Sequence, residues 1–407
     1  MKILHTADWH LGKRLNEYSR IEEQRLVLQE ICEIAENESV DAVIIAGDLY
    51  DTFNPSNDAV ELFYKTVHRL SNNGKRAVVA IAGNHDSADR IDAPHPLAKE
   101  CGIIFNGKPF AEIVPFKLDC GFEILRSAPG FIELKLPEMT YPLRLILTPY
   151  SNEANLKTFL GNEDREDELR NLLEERWNEL AERYCDDQGV NILAAHLYFM
   201  KKGDEPPEEP DDEKPILHIG GAQAIFSENI PAQIQYVALG HLHRFQSIDK
   251  IPCPVVYSSS PLAYSLSEAH QHKYVVIVDA EPGKKVKYTP HKLQSGKRLE
   301  RKRFERLEDA LSWLQENPDT FVEIKLITNN YIDAKVKKAL YQAHDGILAI
   351  IPESRHQKHD LEAGVKQIDL DKDIKDLFKD YFLHRIGQEP NQEILGLLNE
   401  ILDIEEQ

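Results

Sequence analysis

The chain has 407 residues, of which 42% are hydrophobic, enough for a packed core and against global disorder. Its formal net charge of −21 counts against a nucleic-acid surface spread over the whole molecule, because phosphate contacts need Lys and Arg. No apolar run approaches about eighteen residues, so no membrane-spanning helix and no membrane partner are expected. The N-terminus lacks the apolar core of a signal peptide, and five scattered cysteines form no Cys-x-x-Cys pair, so reduced thiols and a cytoplasmic location are expected.

Residues 2–7 (KILHTA) read as a buried strand. Residues 20–36 read as an amphipathic helix with Val27, Ile31, Ile34 and Ala35 on one face. Strands are expected at 41–47 (DAVIIAG) and 76–83 (RAVVAIAG). Between them, residues 56–74 read as a helix capped by Ser56 and stopped at Gly74. This β-α-β-α-β order implies parallel strands joined by crossover helices. The pattern then turns β-rich, with strands expected at 122–128, 143–149, 191–196, 235–241, 254–259 and 273–279, and a helix at 163–184. The acidic, proline-rich stretch 204–215 must be a loop. Residues 284–303 carry nine Lys or Arg against one Glu, either as a solvated linker or as a DNA-facing patch, with Lys297, Arg298, Arg301 and Arg303 as candidate contacts. Residues 304–353 read helix, strand, helix, strand, and 354–370 as a polar linker. Two amphipathic segments close the chain, the first with Ile374, Leu377, Phe378, Tyr381 and Phe382 on one face, the second with Ile394, Leu397, Leu398, Ile401 and Leu402. The expected divisions are 1–283, 284–353, 354–370 and 371–407.

Every chemically suggestive residue lies at the C-terminal end of an expected strand. Asp8 and His10 follow the first, in HTADWHLG. Asp48 and Asp51 follow the second, in GDLYD, and Asn84, His85 and Asp86 the third, in GNHD. His196 ends NILAAH, and His241 and His243 stand in GHLH. Ligands of open α/β sheets bind at the carboxyl ends of strands, so these distant residues should meet on one rim. Carboxylate, imidazole and amide donors without thiolate suit Mn²⁺, Fe²⁺ or Zn²⁺. Seven such donors suffice for two ions if one carboxylate bridges. Two ions about 3.5–4 Å apart can clamp the oxygens of an in-line phosphoryl displacement.

The order DxH, GDxxD, GNHD, lone His, GHxH resembles the calcineurin-like metallophosphoesterase superfamily. HTADWHLG, GDLYDT, AGNHDS, ALGHLHR and YSSSP narrow the resemblance to its bacterial SbcD nuclease family, the counterparts of Mre-type DNA repair nucleases. The resemblance covers nearly the whole chain. It implies an α/β fold: a core of two packed β-sheets flanked by helices, a small α/β capping domain and a C-terminal helical hairpin. It further implies that Asp8, His10 and His243 hold one ion, Asn84, His196 and His241 the other, and that Asp48 bridges. His85 would face the scissile phosphate as acid or charge stabiliser, oriented by the Asp51 carboxylate. Asp86 reads as structural, capping the turn that follows it. Two Mn²⁺ ions are the implied cofactors. Duplex-end exonuclease and single-strand or hairpin endonuclease activity in DNA repair, recombination and replication is the implied function. The implied partners are DNA, a second copy of the nuclease core, and an SbcC-type ATPase docked on 371–407. One departure is visible: Ser259 stands where the family usually shows Gly, which alters a loop and removes no ligand.

Trp9, Tyr50 and Phe53 read as packing beneath the rim, with base stacking as the alternative. A small-molecule phosphatase or cyclic-nucleotide phosphodiesterase on the same core is the competing activity. Phosphatases of the superfamily carry GDxxDRG, whose Arg grips phosphate, whereas Thr52 and Phe53 follow here. A non-enzymatic DNA tether is disfavoured because every ligand type is intact.

Overall fold

The computed structural model describes residues 1–151, 165–205, 224–328, 332–353, 373–386, 390 and 392–405. These divide into two compact units, 1–299 and 300–407.

The first unit opens with β1 (Lys2–Thr6), α1 (Ile21–Asn37), β2 (Ala42–Ala46), α2 (Asn57–Ser71), β3 (Ala77–Ile81) and β4 (Ile103–Asn106). The β1-β2-β3-β4 pairings are all parallel, as the crossover helices require. β2 and β3 are short apolar runs buried along their whole length, the signature of strands covered on both faces. The Ser56 hydroxyl caps α2 by accepting the Ala59 N–H at 3.3 Å. The helix ends before the expected stop at Gly74. Asn72 takes the left-handed conformation (φ 48°) and closes it, a role open to Asn as well as Gly.

The second sheet is built from β5 (Glu123–Ala128), β6 (Phe131–Lys135), β7 (Leu143–Thr148), β8 (Val190–His196), β9 (Tyr236–Gly240), β10 (Gln246–Asp249) and β11 (Val255–Tyr257), with α3 (Arg165–Tyr184) between β7 and β8. Its order is β10-β11-β9-β8-β7-β6-β5, parallel from β7 through β11 and antiparallel at both edges. β12 (Tyr274–Asp279) and β13 (Lys287–Lys292) return to the first sheet, giving the order β13-β12-β1-β2-β3-β4. The sheets pack face to face through Ile3, Ile44 and Val79 against Leu145, Ile192 and Ala238. Val27, Ile31 and Phe63 of α1 and α2 cover the far side of the first sheet. Leu173 and Trp177 of α3 cover that of the second. The expected core of two packed sheets between helices is thus the observed one.

The basic run departs from expectation. The first unit ends at 299 and not at 283, because Lys287–Lys292 pairs antiparallel with β12. A lysine-rich strand at a sheet edge discourages pairing with another chain, and it lacks the apolar alternation that marks a strand in sequence.

In the second unit, β14 (Arg298–Phe304), beginning at the boundary, is followed by α4 (Leu307–Glu316), β15 (Thr320–Ile327), α5 (Ala334–Ala343) and β16 (Ile347–Glu353). The sheet order is β14-β15-β16, with β15 and β16 parallel. Its core comprises Ala310, Leu314, Val322, Ile324, Leu340 and Ile347. α6 (Ile374–Ile386) and α7 (Gln392–Glu405) close the chain as expected, and none of their described residues joins that core. The expected linker at 354–370 and most of the acidic loop lie outside the described residues.

Candidate metal centre

The loops after β1 and β2 stay paired beyond the strands. The Asp8 N–H donates to the Gly47 carbonyl at 3.0 Å, His10 to Asp48 at 2.9 Å, and Leu11 to Leu49 at 3.1 Å. This zipper places Asp8, His10 and Asp48 side by side at the ends of parallel strands. All three hold left-handed backbones, with φ of 55°, 43° and 49°, and His241 has φ 108°. Such conformations cost of order 1–3 kcal/mol each and persist only where surrounding contacts enforce them. Asp86 enforces two of the loops. Its buried carboxylate accepts the N–H groups of Gly83, Leu49 and Tyr50 at 2.9, 2.9 and 3.0 Å. The residue is structural as expected, but it latches the β2 loop to its own instead of capping the turn that follows.

Two glycines of the motifs are required by contact. A Cβ on Gly47, which has φ 94°, would lie 2.1 Å from His196 Nδ1. A Cβ on Gly83 would lie 2.1 Å from Asp48 Oδ1. Any side chain at either position would displace a candidate ligand.

The seven candidate ligands converge across the two sheets. The donor atoms of Asp8, His10 and His243 lie within 4.8 Å of one another, as do those of Asp8, Asp48 and His196. His10 Nε2 is 3.0 Å from His243 Nε2. Asn84 Oδ1 is 2.9 Å from His196 Nε2 and 3.1 Å from His241 Nδ1. Asp48 stands between the sets: its Oδ2 is 3.5 Å from His10 Nε2 and 3.2 Å from His196 Nε2, while its Oδ1 accepts the His85 N–H at 2.9 Å.

The donor set fits divalent cations. Asp8 Oδ2, Asp48 Oδ2, His10 Nδ1 and Asn84 Nδ2 are buried without a hydrogen-bond partner, and two of them are carboxylate oxygens at the centre of the cluster. A buried carboxylate without compensation is costly, so a cation is the natural complement. Burial pushes the Asp8 carboxyl up, to about 6. Burial opposes ionisation of Asp48 too, yet His196 and His10 hold it well below the usual carboxylate range. Burial would lower His196, but Asp48 and then Asp8 raise it to about 9.

The structure changes the reading of Asp51. His85 Nδ1 donates to the Asp51 backbone carbonyl at 2.9 Å, not to its carboxylate. The carboxylate is 3.2 Å from Lys13 Nζ and 3.8 Å from His10 Nδ1. A carbonyl fixes the tautomer of an imidazole as well as a carboxylate does, so His85 is still oriented through Asp51.

Trp9 and Tyr50 are buried against Phe63 beneath the loops, whereas Phe53 is 64% exposed. The four basic candidates fall on both sides of the boundary between the units. Arg301 pairs with Glu323 at 3.3 Å and Arg303 with Glu353 at 2.7 Å within the second unit, while Lys297 and Arg298 close the first.

Sequence reasoning missed three supporting side chains. The Gln24 amide donates to the His10 carbonyl at 2.8 Å and accepts the Gly12 N–H at 3.0 Å, holding the first loop from behind. A lone amide in line with Val27, Leu28 and Ile31 on α1 was its available signal. Glu268 and Lys273 stand behind His243. They lie outside any periodic element and had no signal.

The family model of the calcineurin-like phosphoesterases matches residues 1–245. The chain is 36% identical over 410 aligned residues to the SbcD component of the SbcCD nuclease of Bacillus subtilis, covering 98% of this chain and 97% of that one. The chain belongs to the SbcD family of calcineurin-like phosphoesterases. A second member, from Rhodobacter capsulatus, is 33% identical over 71% of this chain and 69% of its own. Among solved structures, a dimetal phosphatase from Danio rerio is similar, at 12% identity and a TM-score of 0.38, covering 72% of this chain and 96% of that one. Among the described residues, no helix is long and apolar enough to cross a membrane.

Proposed function

We propose that the chain is the nuclease component of an SbcCD-type complex, hydrolysing DNA phosphodiester bonds at a centre of two Mn²⁺ ions. Membership of the family makes it a metal-dependent nuclease; DNA as substrate, Mn²⁺ as ion and the residue roles are the proposal. The carrying observation is Asp48 Oδ2, buried without a hydrogen bond and within 3.5 Å of imidazoles from both ligand sets. Asp8, His10 and His243 would hold one ion, Asn84, His196 and His241 the other, with Asp48 shared. When bound, the ions supply Lewis-acid charge to the phosphate and lower the pKa of the attacking water. His85 lies outside both sets, with Nδ1 committed to the Asp51 carbonyl, so Nε2 would meet the leaving oxygen and protonate it or stabilise its charge.

Residues 371–407 would dock an SbcC-type ATPase. Ile374, Tyr381 and Leu397 are 55%, 52% and 59% exposed, as a helix face that seats on a partner would be. A dimeric nuclease core and a cytoplasmic location complete the proposal.

The test incubates purified protein and Mn²⁺ with labelled duplex DNA, 2′,3′-cyclic AMP and p-nitrophenyl phosphate. Cleavage of DNA with little turnover of the small esters is expected. Rapid turnover of the cyclic nucleotide with DNA left intact would favour the phosphodiesterase reading. Replacing Mn²⁺ by Mg²⁺ or Zn²⁺ checks the ion, and light scattering checks the dimer.

A further inference from the structure

We infer that Glu268 and Lys273 are positioning residues that fix which ring nitrogen of His243 faces the metal centre. The inference rests on the two-ion reading of the site. Glu268 Oε1 is 3.4 Å from His243 Nδ1. The other carboxylate oxygen is ion-paired with Lys273. The Lys273 ammonium also donates to the backbone carbonyl of His243 at 2.8 Å and to Ser260 Oγ at 2.9 Å. One ion pair therefore holds His243 at its ring and at its backbone.

The pair is itself fixed. Glu268 Oε1 accepts the N–H groups of Tyr264 and Ser265 at 3.1 and 3.2 Å. Ser259, two residues after Tyr257 and with φ 84°, ties this segment to β12. Its hydroxyl accepts the Tyr274 N–H at 2.9 Å and donates to the Tyr274 carbonyl at 3.2 Å. Those two bonds give a physical reason for a side chain where the backbone would favour glycine. The strand that carries Tyr274 begins one residue after Lys273, so Ser259 also anchors the lysine.

Stability does not account for such a pair. Glu268 and Lys273 are 2% and 7% exposed, and taking two charges out of water roughly cancels their attraction. Orientation does account for it. A carboxylate on Nδ1 keeps the hydrogen there and leaves the Nε2 lone pair for the cation, the arrangement that metal-binding imidazoles require. His243 Nε2 is the atom that meets His10 Nε2 at 3.0 Å in the cluster.

The experiment has two arms. Wild-type protein, stripped of metal and labelled with [¹⁵N]histidine, is examined by long-range ¹H–¹⁵N correlation, with His243→Asn to assign the signal. Hydrogen on Nδ1 of His243 is expected; hydrogen on Nε2 overturns the inference. Calorimetric titration with Mn²⁺ then compares wild type with Glu268→Gln. Weakening of one of two Mn²⁺ sites by about 10–100-fold is expected, as for loss of the outer partner of a ligating histidine. In turnover, kcat on an oligonucleotide should fall with KM little changed. A folded Glu268→Gln protein with two undiminished sites overturns the inference alone, whereas wild type binding no Mn²⁺ overturns the two-ion reading and the inference with it. If Glu268→Gln fails to fold, the nitrogen measurement on wild type decides.

Discussion

At the residue scale, one histidine and two aspartates carry the sharpest expectations. His85→Gln should lower cleavage about 10²–10⁴-fold with both ions still bound, since His85 is outside both ligand sets. Near-normal cleavage by a metal-loaded His85→Gln protein would remove it from the chemistry. Asp51→Asn should cost much less, because the bond that orients His85 comes from the backbone carbonyl, which the substitution leaves in place. Asp48→Ala should empty both ion positions, to be read by metal analysis after dialysis; two retained ions per chain would exclude Asp48 as the shared ligand. At this scale the sequence was most legible. Carboxylates and imidazoles at strand ends announce themselves by chemistry and spacing. The partner of a side chain does not: nothing in GDLYD says whether the carbonyl or the carboxylate of Asp51 faces His85.

At the element scale, β1 and β14 give measurable expectations. His5 of β1 is buried between the sheets, its ring nitrogens 3.0 Å from the Tyr236 hydroxyl and 3.1 Å from the Leu239 carbonyl. Burial pushes its pKa down from 6.5 to about 3. Above pH 6.5 the ring is neutral in both folded and unfolded chains, and its contribution is fully present. Between 6.5 and about 3 only the unfolded chain takes the proton, so stability falls with pH, by at most about 5 kcal/mol at 1.36 kcal/mol per unit. Denaturant titration of metal-stripped wild type and His5→Asn at pH 7 and pH 5 should show a steeper loss in wild type; parallel losses would contradict it. For β14 and the residue before it, replacing Lys297, Arg298, Arg301 and Arg303 together should weaken duplex binding and flatten the log–log slope by up to about 0.9 for each phosphate no longer neutralised. An unchanged slope would place DNA on another surface. Periodicity located β1, β2 and β3 and the helices α1 and α2. It missed β4, β6, β10, β13 and β14, which are recognisable only by their neighbours in the sheet.

At the scale of the whole molecule, the acidic chain should separate catalysis from partner docking. Deleting 371–407 should leave a folded, Mn²⁺-dependent nuclease that cuts accessible ends or single strands, because none of the described residues of α6 and α7 joins the core of the second unit. It should lose stable association with the ATPase and all ATP-stimulated cleavage. Co-purification at wild-type yield with ATP stimulation intact would return the hairpin to the cap. By itself the sequence determined the family, the two-sheet α/β core, the set of residues at the strand ends and the two closing helices, since each follows from local chemistry or from a period along the chain. Only the tertiary structure decided that Lys287–Lys292 closes the first sheet, that Asp86 latches two loops, that the carbonyl of Asp51 and not its carboxylate meets His85 Nδ1, and that Glu268 and Lys273 stand behind His243. These are contacts between residues distant along the chain or set by backbone geometry, and no repeat or spacing encodes which groups the folded sheets bring within hydrogen-bond reach.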